Sequence, residues 1–168
     1  MTERTREARQ TPVSDCAVLL HIEPLLISVD TDPLSVVRDA IARPATRVIG
    51  IVDADGILVG IVPLLRLIET VVARVSPETL LAGDADLEDA ARFGTEIGAR
   101  RMAEIMQPPI SIRGDATADE AFRLMHHGRQ SGIHVVDDRG RPVAYLDLLE
   151  LGLRYLQAIE PSAAPSSH

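Results

Sequence analysis

Residues 48–62 read VIGIVDADGILVGIV, and residues 132–146 read GIHVVDDRGRPVAYL. Each stretch begins with an apolar run, continues through an Asp-x-x-Gly sequence and ends with a second apolar run. Because Asp and Gly favour tight turns between strands, each stretch predicts a β-hairpin. The two hairpins stand 84 residues apart, so the chain is predicted to contain an internal repeat.

Strand and helix signals flank both hairpins in the same order. A short apolar strand precedes each hairpin, and a helix with one apolar face connects that strand to the hairpin. The helix is capped by Asp32-Pro33 in the first copy and by Asp115 or Thr117 in the second. A second helix follows each hairpin. The first strands are predicted over residues 26–29 and 110–112, and the second helices over residues 64–72 and 148–159. The pattern predicts an α/β (α+β) fold in which a β-α-β-β-α unit occurs twice.

The domain boundaries follow from these elements. We expect repeat 1 over residues 14–70, a helical insert over 71–101, repeat 2 over 102–160, and flexible termini over 1–11 and 161–168. In the insert, Ser76-Pro77 predicts the start of one helix. A second helix is predicted over residues 87–102, because an acidic first turn and a basic last turn suit the helix dipole.

The composition excludes several classes of function. All seventeen basic residues are Arg, since the chain contains no Lys, and the net charge is −8. With 2% aromatic residues, the chain lacks both the basic surface and the stacking side chains of nucleic-acid binders. The single cysteine, Cys16, suits a reducing compartment, and the longest apolar run, residues 57–65, is too short to cross a membrane. We therefore expect a cytoplasmic protein that binds neither nucleic acid nor membrane.

The repeated unit resembles the CBS (cystathionine-beta-synthase) domain, here as a tandem pair called a Bateman module. In the second copy, residues 103–112 (AEIMQPPISI) look like the family's first strand and residues 130–137 (QSGIHVVD) look like its central strand. In the first copy, residues 46–53 and 60–62 fit well, whereas residues 13–17 (VSDCA) are a weak version of the leading helix. The resemblance covers both repeats and leaves the insert outside.

The resemblance implies that the repeats pack sheet to sheet about a pseudo-twofold axis and leave two clefts between them. A physical argument supports this pairing, because a three-stranded sheet with helices on one face leaves its other face apolar, and one repeat is marginal alone. The family commonly dimerises through its helices, so we expect a homodimer. The second helices support this expectation, since their apolar residues occupy more than one face.

Ligand-binding members of the family hold adenosine-type nucleotides with a Thr/Ser-x-x-Asp turn at the start of the second helix, where the Asp binds the ribose hydroxyls. In repeat 1, Pro63 and Arg66 stand at these positions, and an Arg has no acceptor for a hydroxyl proton. In repeat 2 they are Asp147 and Glu150, and Glu150 keeps an acceptor carboxylate. The alternative is that Asp147 is only a helix N-cap and Glu150 a surface charge. The resemblance implies a nucleotide cleft at repeat 2, lined by Ser111, Ile112, Ser131, Gly132, Ile133, His134, Asp147 and Glu150.

Arg47 and Arg66 are candidates for binding a phosphate or another anion at repeat 1. Arg47 matches a basic position just before the central strand of some family members. Guanidinium groups form paired hydrogen bonds to phosphate, so the two side chains would make the first cleft electropositive. The alternative is that they pair with carboxylates such as Asp30, Asp32 or Glu69 on a solvated face.

Catalytic and metal-binding patterns are weak. His126, His127 and His134 have poor spacing for zinc, because adjacent histidines point apart on a helix and the third lies on a strand. Cys16 and His21 could be a thiol and a base, but no Asn is present to orient the imidazole. We expect no catalysis, no metal and no cofactor.

The predicted function is a non-catalytic regulatory module that binds an adenosine-containing nucleotide in a cleft between the repeats. AMP, ADP, ATP and S-adenosylmethionine are the candidate ligands, and binding would favour one relative placement of the repeats or protomers. The alternative is a ligand-free adaptor or dimerisation module whose helical face docks a partner protein. A third and weaker alternative is a small hydrolase or redox protein that uses Cys16.

Overall fold

The computed structural model describes residues 3–76 and 98–160 of the chain. These residues form two three-stranded sheets with flanking helices. In chain order the elements are α1 (Glu3–Gln10), α2 (Val13–Cys16), β1 (Leu26–Ser28), α3 (Pro33–Ala42), β2 (Val48–Val52), β3 (Leu58–Pro63), α4 (Leu64–Val75), a 3-10 turn (Met102–Glu104), β4 (Ser111–Arg113), α5 (Ala118–Gly128), β5 (Gly132–Val136), β6 (Pro142–Asp147) and α6 (Leu148–Ile159).

The two repeats share one topology, as the sequence predicts. Each sheet has its first strand parallel to the central strand and its last strand antiparallel to it. The elements β2, β3 and α4 recur as β5, β6 and α6 after 84 residues, although α4 continues beyond its predicted end at residue 72. Gly56 and Gly140 close the hairpin turns with φ of 76° and 77°, a conformation that glycine adopts without strain.

Side-chain caps determine where the first helix of each repeat begins. Asp32 accepts a hydrogen bond from the Leu34 N–H at the start of α3. Thr117, and not Asp115, caps α5, and Glu120 completes a capping box by accepting from the Thr117 N–H. The sequence therefore predicts the cap of α3 uniquely and that of α5 as one of two choices.

Each sheet uses its two faces differently. One face packs against the repeat's own helices, and the strand residues on it are Ile49, Ile51 and Val62 in repeat 1 and Ile133, Val135 and Leu146 in repeat 2. The other faces meet each other, where Val48 and Ile61 pack with Tyr145. The backbone approaches closely there, since a Cβ on Gly50 would lie 2.8 Å from Nε2 of His134. The predicted sheet-to-sheet packing is confirmed.

The first segment of the chain packs on repeat 2 and not on repeat 1. The Val13 N–H donates to the Ala116 carbonyl, and the Ala118 N–H donates to the Thr11 carbonyl, both at 2.8 Å. Val13 and Cys16 lie in the core of repeat 2. The packing unit of repeat 2 therefore includes α2, which lies at the start of the segment predicted to be repeat 1.

The segment before β4 packs on repeat 1 in the same manner. The Met102 N–H donates to the Thr31 carbonyl at 2.8 Å, and the Ala103 N–H donates to the Val29 carbonyl at 2.9 Å. Met102 and Ile105 lie in the core of repeat 1. The repeats thus exchange their leading segments, so the boundaries inferred at residues 14 and 102 do not coincide with the packing units.

The expectation of a flexible N-terminus over residues 1–11 is wrong for its described part. Residues Glu3–Gln10 form α1, which packs on α5 and α6. Ala8 is fully buried, and Arg9 donates two hydrogen bonds to the Asp119 carboxylate at 3.0 and 3.1 Å. The sequence of α1, ERTREARQ, contains one apolar residue, so it offers no periodicity from which the helix could be recognised.

Several expectations lie outside the described residues. These are the flexible tail over residues 161–168, the helix capped by Ser76, and most of the helix over residues 87–102. The described residues 99–101 are not helical, so that helix does not extend continuously to residue 102. Within residues 3–76 and 98–160, no helix is both long enough and apolar enough to span a bilayer.

Candidate functional site

Asp147 and Glu150 together hold the start of α6. Asp147 Oδ1 accepts a hydrogen bond from the Leu149 N–H at 2.8 Å, and Glu150 Oε2 accepts one from the Asp147 N–H at 3.0 Å. This reciprocal arrangement is a capping box, which satisfies two N–H groups that the first turn of a helix leaves free. The interpretation of Asp147 as an N-cap is confirmed.

Glu150 is a buried anchor, so the interpretation of it as a surface charge is wrong. The residue is 0% exposed, and its other oxygen, Oε1, accepts a hydrogen bond from the Leu20 N–H at 3.0 Å. Leu20 lies in the segment that passes from the core of repeat 2 back to β1. Since Glu150 is fully buried and each carboxylate oxygen already accepts from a backbone N–H group, its carboxylate is not open to a ribose.

The second carboxylate oxygen of Asp147 has no hydrogen-bond partner among the described residues. The nearest cation is Arg47, whose Nε lies 3.6 Å from this Oδ2 atom. The Asp147 side chain is 1% exposed, whereas that of Arg47 is 44% exposed. Because Arg47 belongs to repeat 1 and Asp147 to repeat 2, the ion pair crosses the interface. Buried acceptors are seldom left unbonded, so Oδ2 is an acceptor that the described residues leave unsatisfied.

Tyr145 holds the backbone beside this ion pair. Its hydroxyl oxygen accepts a hydrogen bond from the Arg47 N–H at 3.2 Å, and burial raises the pKa of Tyr145 to about 12. The hydroxyl occupies space that Gly132 leaves open, because a Cβ on Gly132 would collide with it. Tyr145 is absent from the predicted site. The sequence feature that could have identified Tyr145 is its position opposite His134 in the second hairpin. Repeat 1 has Ile61 at the equivalent position.

His134 lies inside the sheet-to-sheet interface. The residue is fully buried, and neither ring nitrogen finds a hydrogen-bond partner in the described part of the chain. Desolvation lowers the pKa of His134 to about 4, so the ring is neutral at pH 7. It meets the Tyr145 ring edge-on, with the centroids 5.3 Å apart. His126 and His127 lie exposed on α5, and no group of three potential metal ligands occurs among the described residues.

The other residues of the predicted cleft are spread over both faces of the sheet, and Gly132 stands directly opposite Asp147 in the pairing of β5 with β6. Ile112 and Ile133 pack their side chains into the core between the sheet and the helices. Ser111 and Ile112 also border a surface depression of about 510 Å³ whose lining does not include Asp147. Ser131 is partly buried, and its carbonyl accepts the first N–H of α6 at 2.9 Å.

The corresponding turn of repeat 1 is built from different chemistry. Pro63 precedes α4 and provides no side-chain cap. Arg66 Nε donates a hydrogen bond to the Ile105 carbonyl at 2.7 Å, and Ile105 lies in the exchanged segment before β4. Arg66 thus binds the segment that packs on repeat 1, just as Glu150 binds the segment that packs on repeat 2.

Arg47 and Arg66 have different partners, so the structure does not show the shared electropositive cleft that the sequence suggested. Arg47 lies against Asp147, whereas Arg66 donates to a backbone carbonyl. Two of the carboxylates suggested as alternative partners contact other arginines, Asp30 with Arg101 at 3.5 Å and Asp32 with Arg74 at 2.9 Å.

The fold defined by these repeats is that of a tandem pair of β-α-β-β-α units packed sheet to sheet. Residues 102–151 match the family model of the CBS domain. The resemblance noted in the sequence is thereby confirmed, and repeat 2 is a CBS domain within a chain that has the fold of a CBS pair. No curated protein matches the chain.

Solved CBS-pair structures are similar to nearly the whole chain. A CBS domain-containing protein from Thermotoga maritima is 24% identical, with 90% of this chain and 99% of that chain covered and a TM-score of 0.72. A CBS domain pair in complex with 5′-methylthioadenosine and S-adenosyl-L-methionine is 20% identical over 88% and 97%, with a TM-score of 0.61. The protein CBSX2 of Arabidopsis thaliana in complex with AMP is 15% identical over 89% and 98%, with a TM-score of 0.62. At these identities the likeness shows the fold.

Proposed function

We propose that the protein is a regulatory module that binds an adenosine-containing nucleotide where Arg47 of repeat 1 meets Asp147 of repeat 2. The observation that carries this proposal is the unbonded Oδ2 atom of Asp147, which is buried and faces a cation from the other repeat. A ribose hydroxyl would satisfy the acceptor, and the partly solvated guanidinium of Arg47 would bind a phosphate or another anionic group. Glu150 would position Asp147 and not touch the ligand.

Binding at this place would couple the two repeats. Asp147 stands at the start of α6, and Arg47 stands immediately before β2, so one ligand would contact an element from each repeat. A ligand that contacts both repeats favours the arrangement in which both contacts form, and this is the mechanism we propose for signalling. The reported complexes of similar CBS pairs with AMP, and with 5′-methylthioadenosine and S-adenosyl-L-methionine, support a nucleotide as the ligand.

The substitution Asp147→Asn tests this proposal with little effect on the fold. Asparagine caps a helix about as well as aspartate, so Oδ1 can still accept from Leu149 while the second position becomes a donor. Calorimetric titration with AMP, ADP, ATP and S-adenosylmethionine should give binding to the wild type for at least one ligand and a dissociation constant at least ~10-fold weaker for Asp147→Asn, equivalent to about 1.4 kcal/mol.

Asp32→Asn is the matched control, because Asp32 is also a helix N-cap with a neighbouring arginine but lies on α3. It should leave nucleotide affinity unchanged. Equal affinity of the wild type and Asp147→Asn would contradict the proposed site. Failure of all four ligands to raise the melting temperature would contradict nucleotide binding itself, since a ligand at 100 times its dissociation constant stabilises by about 2.7 kcal/mol.

The second candidate function is a ligand-free adaptor or dimerisation module. The observation that favours it is the engagement of both Glu150 oxygens by backbone N–H groups, together with the loss of any acceptor at Arg66. These residues would then serve only to fasten the exchanged segments. The adaptor is the function to adopt if no nucleotide changes the melting temperature.

A further inference from the structure

A surface pocket at the C-terminal end of α5 has an ionisable lining that is entirely basic. The pocket has a volume of about 520 Å³, which is in the range of small-molecule sites. Its ionisable lining residues are His126, His127 and Arg129, and no carboxylate of the described residues borders it. The whole chain carries a net charge of −8. A basic pocket on an acidic protein favours anions locally, so the pocket suits a negatively charged ligand.

Arg129 is the most unusual residue of this pocket. Its backbone lies in the left-handed region, with φ of 51° and ψ of 40°, where a residue with a side chain is disfavoured. The residue is exposed, and among residues 3–76 and 98–160 its guanidinium forms neither an ion pair nor a hydrogen bond. An observed backbone outlier of this kind is a reason to look for a function. A cation is held in a costly conformation here without a partner in the described chain.

The end of α5 does not need the Arg129 side chain. The Met125 carbonyl accepts from the Gln130 N–H at 2.9 Å, and the His126 carbonyl accepts from the Arg129 N–H at 3.3 Å. The Gly128 carbonyl accepts from the Gln130 side chain at 3.2 Å. A cation near a helix C-terminus interacts favourably with the dipole, but these carbonyls are already bonded. The guanidinium is therefore available to a ligand.

One wall of the pocket is aromatic. The rings of Phe122 and His126 lie nearly parallel, at 15°, with their centroids 5.8 Å apart, and Phe122 is 44% exposed. An exposed aromatic face favours stacking of a second planar ring. Repeat 1 has Ala42 and Ala45 at the positions equivalent to His126 and Arg129. The combination of an aromatic wall and a free guanidinium thus belongs to repeat 2.

We propose that this pocket binds a small aromatic carboxylate, with its ring against Phe122 and its carboxylate paired with Arg129. A guanidinium can donate two parallel hydrogen bonds to a carboxylate, which fixes the orientation as well as the position of the anion. The planar ring would cover apolar surface that the fold leaves exposed. This site is distinct from the proposed nucleotide site, since neither Arg47 nor Asp147 lines the pocket.

Titration of the full chain with 2-naphthoate, followed by NMR, tests the class of ligand. We expect saturable binding with a dissociation constant of about 1 mM or tighter and the largest chemical-shift changes at Phe122 and His126. Two matched probes separate the contributions: 2-naphthamide keeps the ring and lacks the charge, and decahydronaphthalene-2-carboxylate keeps the charge and lacks the planar ring. Each should bind at least ~10-fold more weakly. Absence of saturable 2-naphthoate binding, or equal binding of either matched probe, would overturn the proposal.

Arg129→Gly tests the residue without endangering the fold, because glycine adopts the left-handed conformation readily. This variant should keep or raise the melting temperature and bind 2-naphthoate at least ~10-fold more weakly. His21→Gly is the matched control, since His21 also has a positive φ, of 52°, and does not line the pocket. It should bind the probe as the wild type does. Unchanged affinity of Arg129→Gly would overturn the site and leave Arg129 as a cation at a helix end.

The site and the nucleotide proposal can fail separately. Asp147→Asn should retain 2-naphthoate binding, because the pocket does not include Asp147. Saturating AMP should likewise leave the affinity for 2-naphthoate unchanged. Loss of 2-naphthoate binding in Asp147→Asn, or its displacement by AMP, would overturn the assignment of a separate site at Arg129.

Discussion

The same turn at the start of the second helix serves repeat 1 and repeat 2 with opposite chemistry. In repeat 1, Arg66 donates to the Ile105 carbonyl; in repeat 2, Glu150 accepts from the Leu20 N–H. Both side chains fasten the segment that the repeats exchange. Only repeat 2 adds an acidic N-cap to this turn, and within residues 3–76 and 98–160 a buried side-chain oxygen remains unbonded only there. The comparison teaches that this turn first fixes the exchanged segments in place, and that repeat 2 alone adds a carboxylate, Asp147, beside the junction with repeat 1.

The sheet interface shows a second asymmetry. Repeat 2 contributes His134 and Tyr145, whereas repeat 1 has Gly50 and Ile61 at the equivalent positions. The large side chains of one sheet fill the space that the small residue of the other leaves, as the close approach of His134 to Gly50 shows. Neither sheet could pack against a copy of itself in this way, so the two repeats have become complementary halves.

Glu150→Ala should have the largest effect on stability. The substitution leaves two N–H groups without their charged acceptor in a buried place, and we expect a loss of about 3 kcal/mol in the free energy of unfolding. Because Arg66 is partly exposed, Arg66→Ala should lower the free energy of unfolding by only about 1 kcal/mol. Urea denaturation of both variants measures the difference. An equal or larger loss for Arg66→Ala would contradict the expectation that Glu150 contributes more to stability than Arg66 does.

Acidification should destabilise the interface through repeat 2, because among the described residues only repeat 2 places a histidine between the sheets. The folded pKa of His134 is about 4, below its ordinary value of 6.5. The stabilisation is therefore complete above pH 6.5 and is lost as the pH falls towards 4, by about 3 kcal/mol in total. The stability of wild type and His134→Leu should be measured from pH 7 to pH 4.5.

The difference between these two proteins isolates the imidazole. Backbone N–H groups also lower the pKa values of Glu120 and Asp137, and both proteins lose that stabilisation alike in acid. We expect the wild type to lose stability more steeply between pH 6.5 and pH 5 than His134→Leu does. Parallel pH profiles would show that His134 is not kept neutral by burial.

Two glycines allow a matched test of packing. Gly132→Ala places a methyl group against the buried Tyr145 ring, and we expect a loss of about 2 kcal/mol. Gly152→Ala adds the same methyl group in open space within α6, and we expect a gain of about 0.5–1 kcal/mol from helix propensity. Thermal unfolding of both variants is the measurement. A neutral Gly132→Ala would mean that Tyr145 can move away from the interface.

Tyr145→Phe should have a smaller effect than Gly132→Ala. It removes the acceptor of the Arg47 N–H and keeps the ring in place, so we expect a loss of about 1 kcal/mol. Ile61→Val, at the equivalent position of repeat 1, removes one buried methyl group and should cost a similar ~1 kcal/mol without affecting Arg47. If Tyr145→Phe leaves nucleotide affinity intact, the hydroxyl does not help to place Arg47.

The local elements could be predicted from the sequence, whereas the contacts between repeats could not. Alternation and Asp-x-x-Gly turns identify both hairpins, and Asp147 is recognisable as a cap because its partner, Glu150, is only three residues away. The bond from Leu20 to Glu150 spans 130 positions, and no local pattern encodes it. The burial of His134 depends likewise on Gly50 in the other repeat.

The exchanged segments also show that contacts between the repeats could not be predicted from local sequence. In the sequence, residues 13–17 look like a weak leading helix and residues 103–112 like a first strand. The structure forms a 3-10 turn at Met102–Glu104 and begins the strand at Ser111. Which sheet each segment covers is decided by chain connections across the whole molecule, so adjacency in sequence suggested the wrong partner. Local physics thus predicts what each segment is, and the tertiary fold decides where it packs.

The stoichiometry of nucleotide binding is the most direct test of the difference between the repeats. Calorimetric titration of the wild type with the ligand that gives the largest thermal shift should yield one nucleotide per chain, and Asp147→Asn should lose that site. Two nucleotides per chain, or one that persists in Asp147→Asn, would contradict the assignment of the site to the Arg47–Asp147 junction.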